Sequence, residues 1–258
     1  MTPEMAKLLA VACGALVGFT LGLIGGGGSI MATPLLLYAV GMPPHMAIGT
    51  GALAVSANAF VNFAGHARAG NVRWAAAGIF SIAGVIGALI GSSIGKAIDG
   101  QRLIFLFALM MIVIGALMLR PRHGAGGVLL PLTGRIAAKI VSIGLCVGLL
   151  SGFFGIGGGF LIVPGLILAT GMPMINAIGT SLFAVGTFGL ATALNYAWSG
   201  LVDWAIAAEF IAGGCVGGWV GMQVACRLAH ERNTLTRLFA GLVFAVAIYI
   251  VWRSSQNA

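Results

Sequence analysis

Charged residues divide the chain into long apolar stretches. No Asp, Glu, Lys or Arg occurs in residues 8–67, a run of 60, or in residues 140–202, a run of 63. One membrane-crossing helix needs about 20 residues. Each stretch therefore holds at least two crossings, joined by loops without full charges. Shorter uncharged runs follow at 74–95, 103–119, 210–226 and 238–252. Lys7 ahead of an apolar run, with Ala10-Val11-Ala12-Cys13, has the outline of a lipoprotein signal. The apolar stretch before Cys13 is too short for one, so this segment reads as the first transmembrane helix.

Displacing the sequence by 130 residues lays it upon itself. Gly41-Met42-Pro43 and Ala47-Ile48-Gly49-Thr50 meet Gly171-Met172-Pro173 and Ala177-Ile178-Gly179-Thr180. Gly25, Gly27, Gly28 and Pro34 meet Gly155, Gly157, Gly158 and Pro164. Gly70, Val72 and Trp74 meet Gly200, Val202 and Trp204. Residues 22–91 against 152–221 give 26 identities in 70 without a gap. Chance likeness of two apolar stretches scatters Leu and Ala matches; it does not align Gly, Pro, Thr and Trp in register. The expected organisation is a first transmembrane repeat over 1–119, an inter-repeat loop over 120–135 and a second repeat over 136–258.

Each half reads alike. A first helix (5–24; 136–154) leads to a glycine cluster, then to a short apolar element containing a proline (30–40; 160–170). As a helix that element covers roughly 17 Å, too short for a hydrocarbon core of about 30 Å. A Gly-Met-Pro turn and three longer helices follow. The fold class is all-α integral membrane protein: two duplicated halves, each of four long helices plus one short Gly-rich broken or re-entrant element. Four crossings per half make the repeats parallel; five make them inverted. The eight-crossing arrangement places 8 of 13 Lys and Arg in the cytoplasm and the ten-crossing one 9 of 13, which leaves the choice open.

Composition narrows the class. Of 258 residues 60% are apolar, 42 are Gly, and only 18 (13 + 5) are charged. That is 7%, against about 25% in an ordinary soluble domain. A soluble enzyme is excluded. The net charge of +8 is scattered between apolar runs, as in the loops of an inner-membrane protein, and forms no nucleic-acid-binding patch. The four Cys have no paired spacing, which argues against a disulfide or zinc framework.

The paired glycine clusters and Gly-Met-Pro…Ala-Ile-Gly-Thr motifs resemble those of the TauE/SafE family of sulfite exporters, within the toluene-sulfonate-uptake permease group. The resemblance covers nearly the whole chain. It implies a multi-pass permease of the cell inner membrane for sulfite, sulfonates or related organosulfur anions.

The residues offer a site consistent with that implication. Gly25, Gly26, Gly27, Gly28 and Ser29, with Gly155, Gly157, Gly158 and Gly159, weaken a helix and free backbone N–H groups. Unwound backbone at membrane depth belongs beside a cavity or inside protein, and a helix N-terminus there favours an anion. Gly84, Gly87 and Gly91 read instead as packing surfaces. Gly49, Thr50, Gly179, Thr180 and Ser181 open the helices after the Gly-Met-Pro turns. Thr50 is expected either to bond its own backbone or to face the solute. Asn58 and Asn62 share a helix face, and Asn195 is a further polar residue in the second half; each needs a neighbouring helix or the solute as partner. No Lys or Arg lies inside either long apolar stretch, so N–H groups, hydroxyls and amides must meet an anion's charge. Glu209, a carboxylate well inside a helix, and His66, at a helix end, are the coupling candidates, a proton being the expected ion. His45 reads as a loop residue.

These features describe a secondary transporter with its site where the repeats meet. The alternative is a carrier or channel for another small solute: a carboxylate, a thiol compound or a cation. No cofactor, metal or catalytic residue is expected, nor an enzyme, since no cluster of reactive side chains has suitable spacing. The expected partners are a small anionic solute, a coupling proton and the lipid bilayer, without nucleic acid. Solute identity, direction of transport and oligomeric state are open at this point.

Overall fold

The computed structural model describes residues 3–119, 133–155 and 159–228. Gly157, Gly158, most of the inter-repeat loop and the apolar run 238–252 lie outside the described residues. Within them the chain is α-helical, with no strand. Helix α1 (Pro3–Ile24) runs into a tight 3-10 segment, Gly25–Met31, and then the short α2 (Ala32–Tyr38). Helices α3 (Pro44–Arg68), α4 (Trp74–Ala97) and α5 (Gly100–Leu119) follow. Beyond the loop come α6 (Gly134–Phe154), the short α7 (Gly159–Thr170), α8 (Met174–Ala197) and α9 (Trp204–Leu228). Six of these, α1, α3, α4, α6, α8 and α9, are long and apolar enough to cross a membrane.

Turn chemistry sets the boundaries. Among the described residues six glycines take positive φ: Gly25, Gly41, Gly70, Gly155, Gly171 and Gly200. They form three pairs 130 residues apart. Gly70 and Gly200 end α3 and α8 with the same closing bond. The Asn71 N–H donates to the His66 carbonyl, and the Leu201 N–H to the Tyr196 carbonyl, each at 3.0 Å. Such six-to-one closure needs a left-handed residue, and glycine adopts that conformation without a Cβ clash. Pro43 and Pro173 cap α3 and α8 with nearly identical dihedrals. Because Pro44 occupies the first turn of α3, a favoured place for proline, His45 lies in the helix rather than in a loop.

The helices pack crosswise between the halves. Gly14, Gly18 and Gly22 of α1 lie against Phe210, Gly214 and Gly218 of α9. Their counterparts Gly144, Gly148 and Gly152 of α6 lie against Phe80, Gly84 and Ala88 of α4. Numbers rise together in both sets, so each pair runs parallel. At most of these glycines a Cβ would strike the facing backbone, which is the close approach that small residues permit in membranes. At the centre α3 and α8 run antiparallel: Gly49 lies on Leu201, Ser56 on Gly186 and Asn71 on Gly179. Ser56 is the middle residue of the 25-residue α3.

Burial is arranged for lipid. Ile82, Ile86, Ile90 and Ile94 form an exposed stripe on α4, while Thr50, Asn58, Asn62, Thr180 and Thr192 are buried. Trp74 and Trp204 are exposed at the starts of α4 and α9, where interfacial aromatics anchor membrane helices.

Candidate functional site

Gly25 and Gly155, the first residues of the two glycine clusters, dock on the opposite halves. Gly25 lies against Ile178 and Ser181 of α8, and Gly155 against Ile48 of α3. Gly26, Gly27 and Gly28 continue the 3-10 segment; Ser29 ends buried within it, and Gly159 is buried where α7 begins. Ser181 also donates to the Ile178 carbonyl at 2.8 Å. Gly25 and Ser181 are thus brought together, as are Gly155 and Ile48, the residue before Gly49 and Thr50.

The paired threonines have a partner that neither sequence alternative foresaw. Thr50 Oγ1 accepts the Asp203 N–H at 2.9 Å, and Thr180 Oγ1 accepts the Arg73 N–H at 3.0 Å. Each hydroxyl therefore holds the turn of the other half. Gly49 and Gly179 make room for those turns, against the backbones of Leu201 and Asn71. Thr50 comes six residues before Ser56 and Thr180 six before Gly186, roughly 9 Å along each helix. The two hydroxyls stand on opposite sides of the α3–α8 crossing and do not share one pocket.

Asn58 and Asn62 do share a face. They lie against Gly214 and Gly218 of α9, and the Asn62 Nδ2 donates to the Asn58 carbonyl at 2.9 Å. His66 follows at the same spacing, buried beside the Gly22 backbone. Glu209 of α9 is half-buried, and its Oε2 has no hydrogen-bond partner among the described residues.

Asn195 is elsewhere, at the end of α8, where it meets a cation. Lys96 Nζ, in the last turn of α4, donates to the Asn195 carbonyl (2.9 Å), to Asn195 Oδ1 (2.8 Å) and to Ser199 Oγ (2.9 Å). The Asn195 amide donates in turn to Ser92 Oγ at 2.6 Å and to Ser93 Oγ at 3.0 Å. Lys96 also lies over the Tyr196 ring, 5.9 Å from its centroid, and His45 flanks that ring. In sequence Lys96 only closes an uncharged run. Nothing there signals that α4 and α8 end side by side.

The architecture suits a membrane protein, with buried amides and hydroxyls inside and aliphatic side chains outside. The family model for Sulfite exporter TauE/SafE matches residues 10–250. The chain belongs to that family. A protein from Xylella fastidiosa (strain 9a5c), named a probable membrane transporter protein, is 57% identical over 96% of this chain and 95% of its own. The probable membrane transporter protein YunE of Bacillus subtilis (strain 168) is 28% identical over 85% of this chain and 89% of its own. No solved structure matches. This TauE/SafE chain is a multi-pass membrane transporter of the inner membrane.

Proposed function

We propose that the protein is a secondary transporter for small sulfur-containing anions, such as sulfite or organosulfonates, built from two inverted repeats over 1–119 and 136–258. One observation carries the arrangement. The corresponding helices α3 and α8 run antiparallel and meet at Ser56 and Gly186, positions 130 residues apart. Two equivalent antiparallel helices are related by a two-fold axis perpendicular to them, which for membrane helices lies in the plane of the bilayer. The crosswise pairing of α1 with α9 and of α6 with α4 obeys the same axis. The short elements then count as crossings, five to each half. With the N-terminus outside, 9 of 13 Lys and Arg fall in the cytoplasm, against 4 (13 − 9) in the reverse orientation. The positive-inside rule favours the former.

The family description supports a sulfur oxyanion as cargo. The glycine clusters support a site of backbone N–H groups, because Gly25 and Gly155 hold left-handed turns against α8 and α3, the helices of the other half that cross at the centre. Glu209 and His66 are the groups to carry a coupled proton. We assign the protein no catalytic step. The test is sulfite flux in proteoliposomes for Gly25→Val and Gly155→Val. Both variants are expected to insert and to lose flux. Unimpaired flux in both would remove the glycine clusters from the site.

A further inference from the structure

The halves differ most at two equivalent seams, where α3 meets α9 and where α8 meets α4. Asn58 of α3 faces Gly214. Its counterpart 130 residues on is Phe188 of α8, which faces Gly84. The Phe188 ring also stacks on Phe80 of α4, with centroids 5.9 Å apart and planes 13° from parallel, and both rings are fully buried. The α8–α4 seam keeps buried hydroxyls at Thr192 and Tyr196, but at the level of Asn58 it presents a ring and not a donor.

Those hydroxyls, like the Asn58 amide, have no hydrogen-bond partner among the described residues; the α3–α9 seam differs in placing its first polar group near mid-helix, where the other seam has Phe188. Asn58 is 0% exposed, and its Nδ2 has no hydrogen-bond partner among the described residues. Among the described residues its Oδ1 receives only a long 3.7 Å contact from the Cys215 thiol. Asn58, Asn62 and His66 recur every four residues and so form one polar stripe. The stripe starts two residues beyond Ser56, at mid-helix, and reaches the end of α3. Glycines face it from α9 and α1. A buried amide donor inside a membrane protein is costly unless something polar comes to it.

We propose that solute crosses the middle of the membrane along the α3–α9 seam alone. There Asn58 Nδ2 donates to an oxygen of a small oxyanion, while Phe188 closes the equivalent α8–α4 seam. The proposal rests on the transport reading above and adds a route, a donor and a ligand class.

The experiment does not depend on knowing the cargo. The four cysteines are replaced by Ala, and single cysteines are introduced as Asn58→Cys, Asn62→Cys, Phe188→Cys and Thr192→Cys. Proteoliposomes are treated with 2-sulfonatoethyl methanethiosulfonate, a small anionic thiol reagent, and labelling is followed by mass. Cysteines at 58 and 62 are expected to react at least tenfold faster than those at 188 and 192. Comparable rates in the two seams, a reversed order, or no labelling at 58 and 62 overturns the proposal. If Asn58→Cys fails to fold, Asn62→Cys against Thr192→Cys decides, since both leave the Phe188 ring in place. Sulfite flux is measured alongside, and Asn58→Leu is expected to lose tenfold or more while Phe188→Leu stays within twofold. Labelling at 58 and 62 without flux of any sulfur anion sinks the cargo and leaves the seam. Flux without labelling there sinks the seam and leaves the cargo.

Discussion

The Ser56 hydroxyl donates to the Gly186 carbonyl across 2.7 Å, and the two residues stand 130 positions apart in the chain. The bond fixes the crossing of α3 and α8. Ser56→Ala removes one buried hydrogen bond, for a loss of about 0.5–1.5 kcal/mol. Gly186→Leu drives a side chain into the Phe60 ring, for a loss of about 1–3 kcal/mol. Thermal unfolding in detergent is expected to rank wild type above Ser56→Ala and Ser56→Ala above Gly186→Leu. A wild-type melting temperature for Gly186→Leu contradicts the crossing.

Thr50 and Thr180 each hold a turn of the other half through a backbone N–H. Thr50→Val and Thr180→Val leave the Asp203 and Arg73 amides unpaired, at about 1–3 kcal/mol each. The two losses should be similar, and Thr→Ser should restore most of the stability in both. If the Val variants melt normally and lose only flux, the hydroxyls serve the solute and not the turns.

The glycines of α1 and α6 are interface positions. A Cβ at Gly18 meets the Gly214 backbone and one at Gly148 meets the Gly84 backbone. Gly18→Leu and Gly148→Leu each force the crosswise pairs apart. Both variants are expected to give a sharply reduced monodisperse fraction in size-exclusion chromatography. Gly78→Leu, where open space surrounds the site, is expected to behave as wild type. Equal recovery of all three would refute the crosswise packing.

Lys96 ties the end of α4 to the end of α8 through Asn195 and Ser199. Lys96→Met keeps the aliphatic stem and removes the three donated bonds. The melting temperature is expected to fall by several degrees, since about 1 kcal/mol shifts a chain of this size by roughly 2–4 °C. Lys96→Arg, which retains charge and donors, should recover part of that. An unchanged melting temperature for Lys96→Met means that the clasp contributes nothing to the fold.

Much of this fold is legible in the sequence, because its signals are local. The left-handed turns at Gly41 and Gly171, the helix starts beside Pro43 and Pro173, and the short elements around Pro34 and Pro164 follow from residue type and spacing. The 130-residue offset identifies the corresponding positions. It says nothing of which helix faces which, because the direction of a helix leaves no mark on its own sequence. So Thr50 stands out as a repeated polar residue, but its partner, the Asp203 amide, belongs to the other half. Asn58 and Asn62 are legible as one helix face, whereas the glycines that receive them are 156 residues away in each case (214 − 58 and 218 − 62). Lys96 escapes notice for the same reason, since only the adjacent ends of α4 and α8 give it Asn195.

The central claim is that this TauE/SafE protein carries a small sulfur anion. The direct measurement is flux into proteoliposomes of the purified chain, with sulfite, sulfate, sulfoacetate, taurine, an aromatic sulfonate, thiosulfate and acetate supplied one at a time, with and without a pH gradient. The account predicts protein-dependent flux of at least one sulfur anion, altered by the gradient if a proton is coupled. Well-folded protein that moves acetate or another solute but none of the sulfur compounds contradicts it.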